Sequence, residues 1–461
     1  VPACMERDAR ARASKNVPTP LSHFGVDRFA VRDQTAALSR AFKAAAADGL
    51  SLVGDPDATY RHDGRLTLSG VSFDGQGCTL LALSDGPQVL QCRGSGWRLA
   101  NLRVLGGATR RSSDNAGNGV WIGGDEPDAA TDFVVENVTV DGAAPGRGVA
   151  TAGIMVSNAH VGRLLGVTVR RSLADGIHVT AGSSRLTIER VLIEDSGDDA
   201  VAVVSYRRQR SLCRDIRISD VVSRRSGARG LAVVGGVDVR AERLRVERSA
   251  AAGIYLFGEE AFDTYGTARC RVADAVLTGC VTGHGLAAGF RNAAVLIGGR
   301  EGLDQVAGAT LPRGASDCEI VGVTVAGAGA GCSAAISTGM FALRPRIAGG
   351  HVLGNAATGP AVTGMEIGGS DVVVNDVEMT NLSGLALVVL PTASGTCRVS
   401  RIKVDGSSRV TGPIQSYLYA EPAPALRQLV VSNSRFAGGP PRLSISLLPP
   451  GRLRLEHNSV R

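Results

Sequence analysis

A short phrase recurs along this chain: a small residue followed by apolar, any, apolar, with the early repeats mostly 23 to 34 residues apart. It reads Gly119-Val-Trp-Ile122, Gly153-Ile-Met-Val156, Gly176-Ile-His-Val179, Ala200-Val-Ala-Val203, Gly230-Leu-Ala-Val233, Gly253-Ile-Tyr-Leu256, Ala294-Val-Leu-Ile297 and Gly364-Met-Glu-Ile367. Recurrence on that scale marks a solenoid, whose units bury their apolar faces only by stacking on their neighbours. The apolar positions alternate, so each phrase predicts a strand with one face inward and one outward. Stacked, such strands make a ribbon of parallel β-structure, and the outward residues fall into columns.

A chain of 461 residues would ordinarily divide into two or three domains. A solenoid core lengthens with each coil, so the expectation is one long domain over 50–461, preceded by a lead-in and a capping helix over 1–49. The 60 glycines and the 4% of aromatics fit many tight turns between short strands. The formal charge is +7 and nearly all basic residues are arginine, whose planar fork suits carboxylate or phosphate. The arginines are scattered without a long run, which argues against nucleic acid and is compatible with an acidic polymer. Nine cysteines show no CxxC or Cys/His metal spacing. Four of them open the same strand of different coils (Cys213, Cys270, Cys318 and Cys397) and are read as small residues stacked inside. No stretch is long enough to span a membrane, and no signal peptide is visible. The chain starts at Val1 without Met, which reads as a removed leader or a trimmed chain and points to a secreted or periplasmic location.

Residues 1–32 lack periodicity and read as irregular lead-in. Asp33 is then expected to N-cap a helix ending at Gly49, with Leu38, Phe42 and Ala45 on one side. That helix is well placed to cover the open end of the first coil. Long insertions at 105–117, 123–132, 205–212, 258–268, 280–292 and 298–316 are read as loops walling an outer groove. Arg207 and Glu259, carried by two of them, are assigned to substrate binding.

Aligned on the small residue, the preceding column runs Asn118, Ala152, Asp175, Asp199, Arg229, Ala252. The next outward column runs Trp121, Met155, His178, Ala202, Ala232, Tyr255. At about 4.8 Å between strands, the alignment predicts Asp175, Asp199 and Arg229 in successive coils, with Asp198 adjoining. Crowded carboxylates push one pKa up, giving a protonated acid beside an ionised base. Glycoside cleavage needs that pair: one group protonates the leaving oxygen and the other activates water. Trp121 and Tyr255 are read as sugar-stacking platforms, Asn118 as a substrate contact, and Arg229 as a partner of a substrate carboxylate or of the aspartates. An aspartate at a turn before a strand also caps backbone N–H groups, so any one of these taken alone has a structural reading.

The chain resembles the polygalacturonases, pectin-cleaving hydrolases that fold as right-handed parallel β-helices. Their motifs are Asn-Thr-Asp-Gly, Gly-Asp-Asp, Gly-His-Gly and Arg-Ile-Lys. Leu173-Ala-Asp-Gly176 resembles the first, and Gly197-Asp-Asp199 matches the second about one coil on. The resemblance is specific over about residues 115–260. It implies an all-β, single-stranded right-handed parallel β-helix in which Asp175, Asp198 and Asp199 hydrolyse by inversion. At the third motif stands Gly227-Ala-Arg-Gly230, with arginine in place of histidine, and Gly253-Ile-Tyr-Leu256 holds neither Arg nor Lys. Gly283-His-Gly285 and Arg401-Ile-Lys403 match in letters but fall too many coils further on.

Two rival readings use the same fold. A polysaccharide lyase or C5-epimerase would use His178, Tyr255 and Arg229 as base, acid and neutralising cation; Asp175 with His178 loosely resembles the Asp-Pro-His pattern of alginate epimerases. A non-catalytic glycan-binding β-helix is the other. No cofactor is called for; calcium suits Asp-rich grooves of lyases with this fold, but no defined oxygen-ligand spacing is present.

Overall fold

The structure, a computed structural model, describes residues 18–125, 127–283, 292–306, 308–329, 331–354, 362–382, 384–406, 416–438 and 442–461. Two compact units, residues 1–197 and 198–461, are built on one plan, the parallel β-helix. Among the described residues there is one α-helix, Thr35–Asp48.

Each coil contributes one phrase strand and one longer, bent stretch. In the first unit Val120–Gly123, Ile154–Ser157 and Ile177–Thr180 pair in parallel, which aligns Gln91, Trp121, Met155 and His178. In the second, Ala202, Ala232, Tyr255, Leu296, Ser337 and Glu366 align in the same way. The columns read from sequence are therefore present within each unit.

The expected exposure of their outer face is not. Every residue of Ile154–Ser157, Ile177–Thr180, Val201–Val204, Leu231–Val234 and Ile254–Phe257 is buried. Insertions fold back over the outward side chains: Ala116, from the 105–117 insertion, packs with Trp121 and Met155, and Tyr206, from 205–212, packs against the cluster that holds Ala202, Ala232 and Tyr255.

The bent stretches follow a five-residue rule. In Ser184–Glu194 the buried apolar residues are Leu186, Ile188, Val191 and Ile193, so alternation breaks between 188 and 191. Arg185, Arg190 and Asp195, each with φ of 56°, flank those pairs. A left-handed residue turns the chain and returns the next apolar side chain to the inside. Asp215, Asp220 and Arg225 repeat the spacing one coil on within the second unit, as do Asp238, Arg243 and Arg248. Left-handed backbone costs a non-glycine residue about 1–2 kcal/mol. Ion pairs between stacked corners offset part of it: Arg269 meets Asp238 at 2.8 Å, Arg344 meets Asp317 at 2.7 Å, and Arg401 meets Asp376 at 2.7 Å.

The eight described cysteines are buried free thiols; Cys4 lies outside the described residues. Cys270, Cys318 and Cys397 stand in one inward column, because Arg271 pairs with Glu319 and the register continues to Arg398. Cys213 does not belong to it. Ile216 aligns with Val239 and Cys270, three residues further on.

The helix stops as expected at Gly49, which takes φ of +64°. Gln34 occupies the N-cap position, while Asp33 does the capping chemistry, accepting from Thr35 N at 2.9 Å and Thr35 Oγ1 at 2.6 Å. Leu38, Ala41, Phe42 and Ala45 are buried, and Phe42 packs on Phe73 with ring centroids 5.9 Å apart. The lead-in is not wholly irregular: Thr19–Pro20 pairs with Leu52–Val53. The 298–316 insertion, expected as a loop, is an antiparallel hairpin of Gly299–Val306 with Ala309–Gly314.

Candidate functional site

Asp175 precedes the phrase strand Ile177–Thr180, and its backbone carbonyl accepts from Gly153 N at 2.9 Å. Its carboxylate reaches along its own strand, where Oδ2 lies 2.6 Å from His178 Nδ1. Both side chains are largely covered, 14% and 9% exposed. That contact fixes the orientation of the imidazole ring.

Two residues expected at a substrate surface in the first unit sit inside it. Asn118 is fully buried, and its amide is consumed locally, donating to Asn115 O at 2.9 Å and accepting from Ala152 N at 3.0 Å. Trp121 is buried with Val89, Ala116, Ala152 and Met155, and Arg65 covers its ring at 5.5 Å. Neither offers a face to a sugar. Arg65 carries no signal in the sequence, since it belongs to a coil outside the repeating phrase.

In the second unit the centre is Arg229. Its backbone N donates to Asp199 Oδ1 at 2.8 Å, and its guanidinium lies 3.6 Å from Asp199 Oδ2 and 2.6 Å from Glu259 Oε1. The guanidinium also stacks on Tyr255, 4.3 Å from the ring centroid, and Tyr255 stacks in turn on Phe257 at 4.8 Å. Burial works against the charge on Arg229, but Asp199, Glu259 and Asp198 outweigh it, and the guanidinium is held charged more firmly than usual. Burial, with the Glu259 charge beside it, raises the Tyr255 phenol far above its ordinary value.

Four of the expected site residues have their contacts here. Arg229 steadies Asp199, which is one of its two expected roles. Glu259, whose side chain is 13% exposed, grips Arg229 instead of walling a groove; Thr264 Oγ1 fixes its loop by accepting from Glu259 N at 2.8 Å. Tyr255, 3% exposed, is a buried stacking partner and not a sugar platform. Arg207 pairs with Asp263 at 3.0 Å and Asp304 at 3.3 Å. Asp198 is half-buried and adds its charge to Arg229. Of the two letter matches set aside above, Arg401 is paired to Asp376, and His284 lies outside the described residues.

No family model and no curated protein matches the chain in sequence. Solved structures do resemble it. The N-terminal fragment of bacteriophage Phi29 gene product 12 superposes with a TM-score of 0.70 at 11% identity, covering 92% of this chain and 71% of that one. The pre-mature form of that phage protein gives 0.60 at 12%, covering 93% and 57%. The catalytic domain of a GH87 α-1,3-glucanase variant in complex with tetrasaccharides gives 0.50 at 14%, covering 93% and 68%. This chain has the fold of the parallel β-helix proteins. Among the described residues no helix is long and apolar enough to cross a membrane.

Proposed function

We propose that this β-helix is a secreted or periplasmic glycoside hydrolase of the polygalacturonase type, acting on an acidic, uronate-containing polysaccharide by inversion. Asp175, Asp198 and Asp199 are its carboxylates. The observation that carries the reading is the buried setting of Asp199, which pairs with an arginine that is itself locked by Glu259 and Tyr255. A carboxylate beside a cation is favoured in its charged form and suits the base that takes a proton from water. A second, protonated carboxyl gives its proton to the glycosidic oxygen while that water attacks the anomeric carbon, which inverts its configuration. Gly197-Asp-Asp199 supports the assignment through its resemblance to the hydrolase motif, and a β-helix glucanase among similar structures supports a glycan substrate by fold alone. Hydrolysis needs no cofactor in this scheme, and calcium enters only as an addition to the assay.

The Asp175–His178 pair, at 2.6 Å, favours a second reading. An imidazole oriented by a carboxylate is a base for removing the proton next to a uronate carboxylate, as a lyase or epimerase does.

Incubation with polygalacturonate and with neutral glucans, with calcium and with chelator, separates the two. Reducing ends without absorbance from an unsaturated sugar, abolished by Asp199→Asn and retained by His178→Ala, are expected for the hydrolase. Unsaturated product, lost in His178→Ala and kept in Asp199→Asn, would replace it with the lyase.

A further inference from the structure

The hairpin Gly299–Val306/Ala309–Gly314 and the turn Arg207–Gln209 line a cleft of about 670 Å³ in the second unit. Four of its lining residues are arginines, Arg207, Arg208, Arg210 and Arg313, against two carboxylates, Asp263 and Asp304. The carboxylates are already engaged. Asp304, 5% exposed, takes Arg313 at 2.9 Å and Arg207 at 3.3 Å, while Asp263 takes Arg207 at 3.0 Å and Arg300 at 3.5 Å.

Arg208 and Arg210 remain. Both are exposed, and among the described residues neither meets a carboxylate. Arg208 is held over the Tyr206 ring at 4.3 Å. Arg210 occupies the left-handed cap of the turn, with φ of 52°, which fixes where its side chain leaves the backbone. The charge of Arg210 acts on the Tyr265 phenol at the cleft wall. Two arginines, one held over a ring and one set by a turn, neither meeting a carboxylate among the described residues, are ready to take an external oxyanion. Leu303 beside them is 62% exposed and gives the cleft an apolar lip for a sugar face.

We infer that this cleft is a binding subsite for a carboxylate-bearing sugar of the polymer chain, with Arg208 and Arg210 as the residues that select charge. The inference rests on the glycan reading above, and its binding test does not depend on turnover.

The test is calorimetric binding of hexagalacturonate and of its carboxyl-reduced counterpart to the intact chain in an Asp199→Asn background, with and without the double change Arg208→Ala, Arg210→Ala. Circular dichroism checks that each variant is folded. The expected result is at least tenfold weaker binding of hexagalacturonate in the double variant and no change for the reduced hexamer. Equal affinity of both proteins for hexagalacturonate, an equal loss for both ligands, or no binding of hexagalacturonate to the parent overturns it. Charge-selective binding in a protein whose wild type hydrolyses nothing would keep the subsite and discard the hydrolase. Hydrolysis without charge selectivity would do the reverse.

Discussion

At the residue scale, one arginine explains how Asp199 and Glu259 can be buried side by side in the second unit. Arg229 serves Asp199 and Glu259 together, and removing one partner of a buried pair costs about 3–5 kcal/mol because the other charge stays buried. Arg229→Ala is therefore expected to destabilise by about that amount in urea unfolding. Arg229→Lys should recover part of it through its charge, but not the fork geometry. An Arg229→Ala protein as stable as the parent would show that the network contributes nothing. The sequence put Asp199 and Arg229 in one column because strand register is fixed once the phrases align. It could not show that Glu259 turns inward, since a residue thirty positions away on an irregular insertion has no periodicity to read. Trp121, Asn118 and Tyr255 were misplaced for the same reason: outward on a strand means exposed only when nothing folds back over it.

At the element scale, the phrase strands were legible and the corners of the longer stretches were not. Period-2 alternation found the strands, but the left-handed residue at every fifth position is filled by Arg, Asp, Asn or Gly, residue types that any exposed turn also carries. The corners give their own test. Arg344, at φ of 52°, pairs with Asp317 through both carboxylate oxygens. Arg344→Gly relieves the backbone and loses an exposed pair worth about 0–1 kcal/mol, so thermal unfolding should shift little. Arg344→Val, β-branched at positive φ, is expected to destabilise by at least about 1 kcal/mol. Equal effects of the two changes would contradict the strain argument.

The same ladder sets an acid limit. The Arg344 hydrogen bonds hold the Asp317 carboxyl below its usual range, those of Arg401 do so for Asp376, and the Thr396 backbone N–H does so for Asp371. Lowered folded values mean that this stabilisation is fully present above the ordinary carboxylate pKa of about 3.9 and is lost as pH falls through the lowered values. Urea midpoints should be flat from pH 7 to 5 as far as these groups are concerned, then drop below about pH 4. In Arg344→Gly the drop should be smaller, and an undiminished one would remove Asp317 from the account.

For the whole molecule, repetition made the fold readable: a phrase that cannot bury itself alone forces stacking, and stacking forces a cap. The helix was visible from Asp33 to Gly49 because its apolar spacing and left-handed stop are local. Phe42, 1% exposed and packed on Phe73, carries the cap onto the coils. Phe42→Ala is expected to cost about 3–5 kcal/mol, whereas the exposed Lys43→Ala should cost almost nothing. Similar unfolding midpoints for the two would mean that the helix is an appendage.

The central claim is that Asp199, held against a buried arginine network, is the base of hydrolysis. Its most direct measurement is the rate of reducing-end release from polygalacturonate by the parent chain and by Asp199→Asn, with circular dichroism confirming that the variant is folded. A loss of at least about a hundredfold, the scale of one positioned acid or base, is predicted. An Asp199→Asn protein that cleaves at the parental rate would contradict the account.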